Sequence, residues 1–218
     1  MIDPIDRRSA KSLPEHGKKT SKWPRTSRRQ QRVNGVLARR RTSLTVVLED
    51  VHDPHNVSAV LRSCDGVGIL DVHLVYVHEE PPRRSFAQKT SGSAAKWMRL
   101  HHHASIEACY ERLRSEGKRI YATALARETR DLYQLDLVSP TALVFGNEMR
   151  GVSDEAIAGA DATVYIPMQG MVESLNVSVA CAVSLYEAMR QRRAVGDYDT
   201  PELTPEELAT LEAEWLNK

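Results

Sequence analysis

Cysteine is scarce in this chain and poorly placed for bridging. Only Cys64, Cys109 and Cys181 occur among the 218 residues. An odd number at wide spacing excludes a disulfide framework and suits a reducing compartment. No C-x-x-C pair exists, which removes the usual zinc-ribbon and thioredoxin-type motifs. Long apolar runs are missing too. None approaches the ~20 residues that span a bilayer, and the first thirty residues lack an apolar signal core, so a soluble, cytoplasmic protein is expected. There is no G-x-G-x-x-G after a strand, no Walker loop and no G-x-S-x-G elbow. His101, His102 and His103 are adjacent, and neighbours on an extended chain point to opposite faces, so no metal site is expected from them.

Charge is plentiful but unevenly placed. The formal net charge of +1 is a sum of three unlike parts. Residues 1–42 carry thirteen Lys or Arg against Asp3, Asp6 and Glu15, a net +10, whereas residues 43–195 carry −3 and residues 196–218 carry −6. A basic arm of this kind fits a polyanion, because each neutralised phosphate releases a condensed counterion.

The length fits one α/β domain with appendages. Residues 1–25, with Pro4, Pro14 and Pro24, have no apolar periodicity and read as a disordered basic extension. Over residues 26–42, Val33, Val36 and Leu37 form a narrow apolar stripe among Arg28, Arg29, Arg32, Arg39, Arg40 and Arg41, which predicts a basic amphipathic helix. The pattern then predicts strands over 44–49, 69–77, 119–125, 141–145 and 163–166, and helices over 54–65, 105–116 and 175–193. Strands alternating with helices predict an α/β domain over 43–195, its mainly parallel sheet covered on both faces. Thr204-Pro-Glu-Glu207 is a capping box with proline at the first helical position, so the acidic tail 196–218 should hold a short helix.

Three segments carry polar residues where chemistry could sit. In Asp53 to Asp65, Val57, Val60, Leu61 and Cys64 make one buried stripe, so Arg62 points away alongside Ser58 and Asp65. It is either a solvated arginine paired with Asp65 or a group presented to a ligand. Asn56, at the helix start, is a cap or a site residue. In Leu143 to Gly151 a strand runs into a loop with Glu148 at its carboxyl end, where ligands of parallel sheets gather, although turns of this composition are common. In Ile166 to Ala180 a short β run passes through a glycine-containing loop into an apolar helix, leaving backbone groups beside Ser174 and Asn176. Ser174 is a helix cap or a ligand contact.

Taken in order, Leu48-Glu-Asp-Val-His-Asp-Pro-His-Asn56, Thr90-Ser-Gly-Ser-Ala-Ala-Lys-Trp97, the Gly146 to Gly151 loop and Ile166-Pro-Met-Gln-Gly-Met-Val-Glu-Ser-Leu-Asn-Val177 resemble the motifs of the SPOUT superfamily of RNA methyltransferases. The likeness is to its 2′-O-ribose branch, and within that to the TrmH family of tRNA (guanosine-2′-O-)-methyltransferases. It runs from about Arg25 to the C-terminal Trp-Leu-Asn-Lys and leaves out residues 1–24. The resemblance implies a deep trefoil knot at about 141–193, a homodimer packed through the knot, and S-adenosylmethionine as cofactor. By resemblance, Thr123, Gly146, Ile166 and Leu175 bind the cofactor. Asn56, Arg62, Glu148, Ser174 and Asn176 form the catalytic neighbourhood, and Arg29, Arg32, Arg40, Arg190 and Arg192 contact RNA. The implied reaction is 2′-O-methylation of a tRNA guanosine, guanosine 18 of the D-loop. The alternatives are another tRNA or ribosomal RNA ribose, or a non-catalytic RNA-binding protein. The family role matching Arg62 is to activate the hydroxyl together with an RNA phosphate. A guanidinium stays protonated in proteins, which suits a bidentate phosphate clamp better than a general base.

Overall fold

The structure is a computed structural model that describes residues 25–79, 94–124 and 129–218. Residues 1–24 of the extension expected over 1–25, residues 90–93 of the second motif and the end of the strand expected over 119–125 lie outside the described residues, and Arg25 already belongs to the first helix. In chain order the strands are β1 (Leu44–Glu49), β2 (Asp71–Val75), β3 (Arg99–His103), β4 (Arg119–Thr123), β5 (Thr129–Asp131), β6 (Thr141–Phe145) and β7 (Ala162–Tyr165). The helices are α1 (Arg25–Leu37), α2 (Pro54–Val67), α3 (Ile106–Ser115), α4 (Asp154–Gly159), α5 (Val177–Ala194) and α6 (Pro205–Leu216).

The strands form one sheet in the order β3-β2-β1-β6-β4-β7-β5, with every pairing parallel. The central pair, β1 and β6, is buried along its whole length, as expected of parallel strands covered on both faces. Alternate residues serve opposite layers. Val46, Leu48, Leu143 and Phe145 pack with α2 and α5 through Leu61, Cys181 and Leu185. Val47, Ala142 and Val144 pack with α3 and α4 through Ile106, Leu113 and Ala156. This is the mainly parallel α/β sheet with helices on both faces that the alternation predicts.

A third, smaller cluster lies apart from the sheet. Val33 and Leu37 of α1 meet Leu211 and Trp215 of α6, with Leu70 and Leu203 beside them. Gln30 Nε2 donates to Glu212 at 2.8 Å, and Arg29 Nη2 donates to the Trp215 carbonyl at 3.4 Å. The basic helix and the acidic tail are thus packed against each other. The α6 capping box forms through Thr204 and Glu207.

Two arginines expected to contact RNA are instead interior groups. Arg40 is 1% exposed; it donates to the Ile69 carbonyl at 2.8 Å, pairs with Asp65 at 2.5 Å and lies over the Trp215 ring. Arg192 is 0% exposed and donates to the Leu137 and Ser139 carbonyls at 2.9 and 3.1 Å, to Ser43 Oγ at 2.7 Å and to Asp197 at 3.1 Å. Both guanidinium groups are turned inward and held by acceptors of this chain, so neither is presented to a phosphate.

The edge strand β3, Arg-Leu-His-His-His, carries no apolar alternation and so escapes prediction from the sequence pattern. Parallel pairing with β2 holds it and brings in a histidine from the neighbouring strand. His101 and His103 stack on either side of buried His73, at 4.9 and 5.1 Å between ring centroids. His73 Nδ1 is 2.8 Å from His103 Nε2. Burial, with the neighbouring histidines, holds His73 down at about 3, so its ring is neutral. Cys109 completes the only grouping of metal-ligating side chains found among the described residues, with ligand atoms within 4.8 Å of one another. Burial pushes its thiol up to about 12.

Candidate active site

The end of β4, the loops following β6 and β7 and the start of α5 line a cavity of about 500 Å³ at the carboxyl ends of the strands, where parallel α/β sheets bind ligands. Thr123, Gly146, Ile166 and Leu175 line it, together with Glu148, Ser174 and Asn176. Asn56 and Arg62 lie outside its lining.

Local chemistry fixes the loop that follows β6. Asn147 Oδ1 accepts from the Met149 and Arg150 amides at 2.9 and 3.2 Å, folding the loop over its own side chain. Its Nδ2 donates to the Asp50 carbonyl at 2.9 Å, tying the loop to the end of β1. Gly151 adopts a φ of 72° and closes a bridge to Asn147, a backbone conformation that favours glycine. Gly146 has no room for a side chain, because a Cβ there would lie 2.1 Å from the Gly151 carbonyl.

Glu148 leaves that loop to join two other elements. Its Oε1 accepts from Asn56 Nδ2 at 2.9 Å and from the Asp53 amide at 3.4 Å. Asn56 Oδ1 in turn accepts from Asn176 Nδ2 at 3.1 Å, and Asn176 Oδ1 accepts from the Ser178 amide at 2.9 Å. The Ser178 amide can only donate, so Asn176 must turn its oxygen to it and its nitrogen to Asn56, which gives the relay one direction and locks both amide side chains in orientation. The structure therefore brings Asn56, Glu148 and Asn176 together from α2, the β6 loop and α5.

The helix caps are assigned differently from the alternatives the sequence left open. Asp53, not Asn56, caps α2, and Asn176, not Ser174, caps α5. Asn56 is thereby free for Glu148, and the exposed Ser174 is left facing the cavity. Arg62 is exposed, and it does not pair with Asp65, which Arg40 has taken. Arg62 has no hydrogen-bond or ion-pair partner among the described residues. Ser58 does not share its exposure; it is 3% exposed. Arg62 stands six residues beyond Asn56 on α2, roughly 9 Å along the helix axis, and does not touch the relay.

Sequence reasoning missed Asp50, which buttresses the site. It holds a φ of 50° at the end of β1, and its Oδ1 accepts from the Val77, His78 and Glu79 amides. Burial alone would raise its carboxyl, but those amides and His78 hold it below the usual carboxylate range. The Gly-Asn turn at 146–147 was a legible signal for the loop anchor, whereas nothing local marks Asp50. Of the remaining arginines matched to RNA contacts, Arg29 and Arg32 are exposed on α1. Arg190 is exposed on α5 and forked onto Glu187, with both bonds at 2.8 Å.

Comparison with known proteins places this geometry in a family. Residues 43–186 match the SpoU rRNA Methylase family. The chain is 48% identical over 194 residues to the tRNA (guanosine(18)-2′-O)-methyltransferase of Thermus thermophilus, covering 89% of this chain and 98% of that protein. The crystal structure of the A. aeolicus TrmH/SpoU tRNA modifying enzyme superposes with a TM-score of 0.80 at 34% identity, covering 88% of this chain and 96% of that one. An AdoMet-bound rRNA methyltransferase from Sinorhizobium meliloti superposes with a TM-score of 0.61 at 26% identity, covering 74% and 60%. Together with residues 43–186, which span the relay, the cavity and Arg62, these likenesses establish that the chain belongs to the SpoU rRNA methylase family of methyltransferases.

Proposed function

We propose that this chain transfers a methyl group from S-adenosylmethionine to the ribose 2′-oxygen of a tRNA guanosine, guanosine 18. The observation that carries the reading is the cavity at the carboxyl ends of β4, β6 and β7, bordered by Glu148 and Asn176 of the Asn56–Glu148–Asn176 relay, with an arginine unpartnered among the described residues on the helix that supplies Asn56. The residues present fit the cofactor. The cavity, about 500 Å³, is of the size that holds a nucleoside-sized ligand. Phe145, Val164, Ile166 and Leu175 offer it an apolar wall, and the surrounding loops offer backbone polar groups.

When bound, S-adenosylmethionine supplies an already activated methyl group. The chain's own work is therefore positioning, and well-aligned reactants recover about 7–11 kcal/mol of a barrier. Arg62, with its five donors unclaimed, grips an RNA phosphate and stabilises negative charge developing on the ribose oxygen. The relay holds the α5 start and the β6 loop at fixed separation, and Ser174 offers its hydroxyl to the ligand. Arg29, Arg32 and Arg190 contact the tRNA backbone. Val179 and Tyr186 on α5, 47% and 51% exposed, and Met171 and Val172 of the preceding loop leave apolar surface uncovered. Such a surface suits a homodimer packed through a knot at about 141–193.

The direct test is incubation of the protein with an unmodified tRNA transcript and methyl-labelled cofactor, then mapping of the modified nucleotide. Methylation of a base, or of no tRNA ribose, would overturn the reading. Gly146→Ala is expected to abolish cofactor binding by calorimetric titration, because the new methyl and the Gly151 backbone cannot both keep their places. Neutralising Arg29 and Arg32 together should weaken tRNA binding and flatten the plot of log K against log salt by about two units, close to one per phosphate contact. An unchanged slope would remove α1 from the RNA interface.

A further inference from the structure

A second cavity, of about 360 Å³, shares no lining residue with the first. Arg29 and Arg32 of α1, Lys96 and Trp97 of the 3-10 turn Ala94–Trp97, and Trp215 and Lys218 at the chain's end line it, as does the Arg40–Asp65 ion pair. Its charge is one-sided. Asp65, whose side chain is the only acidic one in the lining, is already engaged by Arg40 at 2.5 Å, and Lys218 pairs with Glu214 at 2.6 Å. Arg29, Arg32 and Lys96 take part in no ion pair among the described residues.

Trp97 is half-buried, its ring tilted at 58° against Trp215, 5.1 Å between centroids. Among the described residues the exposed Lys96 ammonium lies over the ring, 4.7 Å from the centroid. A flexible cation covering an indole is readily displaced by a flat π-surface, and on displacement it carries its charge to any phosphate nearby. The cavity also borders the helix that carries Arg62. Asp65 and Arg62 are three residues apart on α2, neighbours on one helical face about 4.5 Å apart along the axis.

From this juxtaposition we infer that the cleft takes one nucleotide of the substrate tRNA beside the methylated residue, its base stacked on Trp97 and its phosphate held by Arg29, Arg32 and Lys96. The inference rests on the proposed tRNA substrate. Stacking on an aromatic face accepts any base, so the cleft orients the strand without reading its sequence. A chain held at two adjacent nucleotides, by Arg62 and by this cleft, presents the ribose between them in one orientation.

The test compares wild type, Trp97→Leu and Trp97→Phe on unmodified tRNA transcripts carrying 2-aminopurine on either side of guanosine 18. Three things are read: binding affinity, 2-aminopurine fluorescence on binding, and KM and kcat for methyl transfer. Trp97→Leu is expected to weaken tRNA binding and raise KM by about tenfold or more, the scale of losing one base–aromatic stack. Trp97→Phe, which keeps a stacking face, should stay near wild type, and calorimetric affinity for S-adenosylmethionine should be unchanged in both. The 2-aminopurine signal at one flanking position should change on binding wild type but not Trp97→Leu. Equal tRNA affinity in all three proteins would overturn the inference, as would equal losses in the two variants, which would mark Trp97 as packing only. If wild type transfers no methyl group, affinity and fluorescence still decide: the cleft stands on a selective Trp97→Leu defect while the reading as an enzyme falls.

Discussion

Arg62→Lys is expected to cut methyl transfer to tRNA by roughly 10²- to 10³-fold, the scale of removing one charge-stabilising donor from a transition state, while S-adenosylmethionine binds as before. Lysine keeps the charge but loses the planar fork that grips a phosphate at two oxygens and leaves further N–H groups for the ribose oxygen. Arg62 is suited to this measurement because it is exposed and has no partner among the described residues, so its replacement leaves no orphaned group behind. Single-turnover rates with saturating tRNA, beside calorimetric titration of the cofactor, separate the two effects. Near-normal turnover by the variant would sink the assignment, and a parallel fall in cofactor affinity would mean that Arg62 supports the cavity instead.

Arg192→Ala should produce the largest change in stability, a loss of roughly 3–5 kcal/mol, as when one member of a buried charged network is removed. The Arg192 guanidinium joins Ser43 before β1, the Leu137 and Ser139 carbonyls before β6, and Asp197 after α5. Without it, those carbonyls lose a shared donor and a cavity opens at the base of the central strands. Equilibrium urea unfolding would register the change, with Arg62→Ala, exposed and without a partner among the described residues, as the comparison that stays near wild type. A variant as stable as wild type but poor in tRNA binding would return Arg192 to the RNA interface.

The parts of the fold that could be read from the sequence were those in which burial writes itself as a pattern. The strands expected over 44–49 and 141–145 coincide with β1 and β6, because central parallel strands are apolar on both faces. β3 escaped because an edge strand of arginine and histidines is held by its neighbour's hydrogen bonds, not by its own hydrophobicity. β5, at three residues, is too short to show a period. In the site, residue types could be read but their partners could not. That Asn56 reaches Glu148 depends on a contact 92 residues apart in sequence, and that contact leaves the local cap to Asp53.

The two misplaced arginines show where a finer reading was possible. Arg192 continues the buried stripe of Cys181, Leu185 and Ala188, and Arg40 extends that of Val33 and Leu37. A charge on an apolar stripe is a candidate interior residue, whereas Arg190 falls between those positions.

The union of α1 with α6 has a consequence for how the molecule breathes. Their small cluster is separate from the two layers on the sheet, so the pair should open as one local unit while the sheet stays closed. Amide exchange in α1 should then keep time with exchange in α6, although Arg29 and Trp215 are 186 residues apart. Any polyanion that clamps the first helix will slow the opening of the last, and shortening the last will loosen the first.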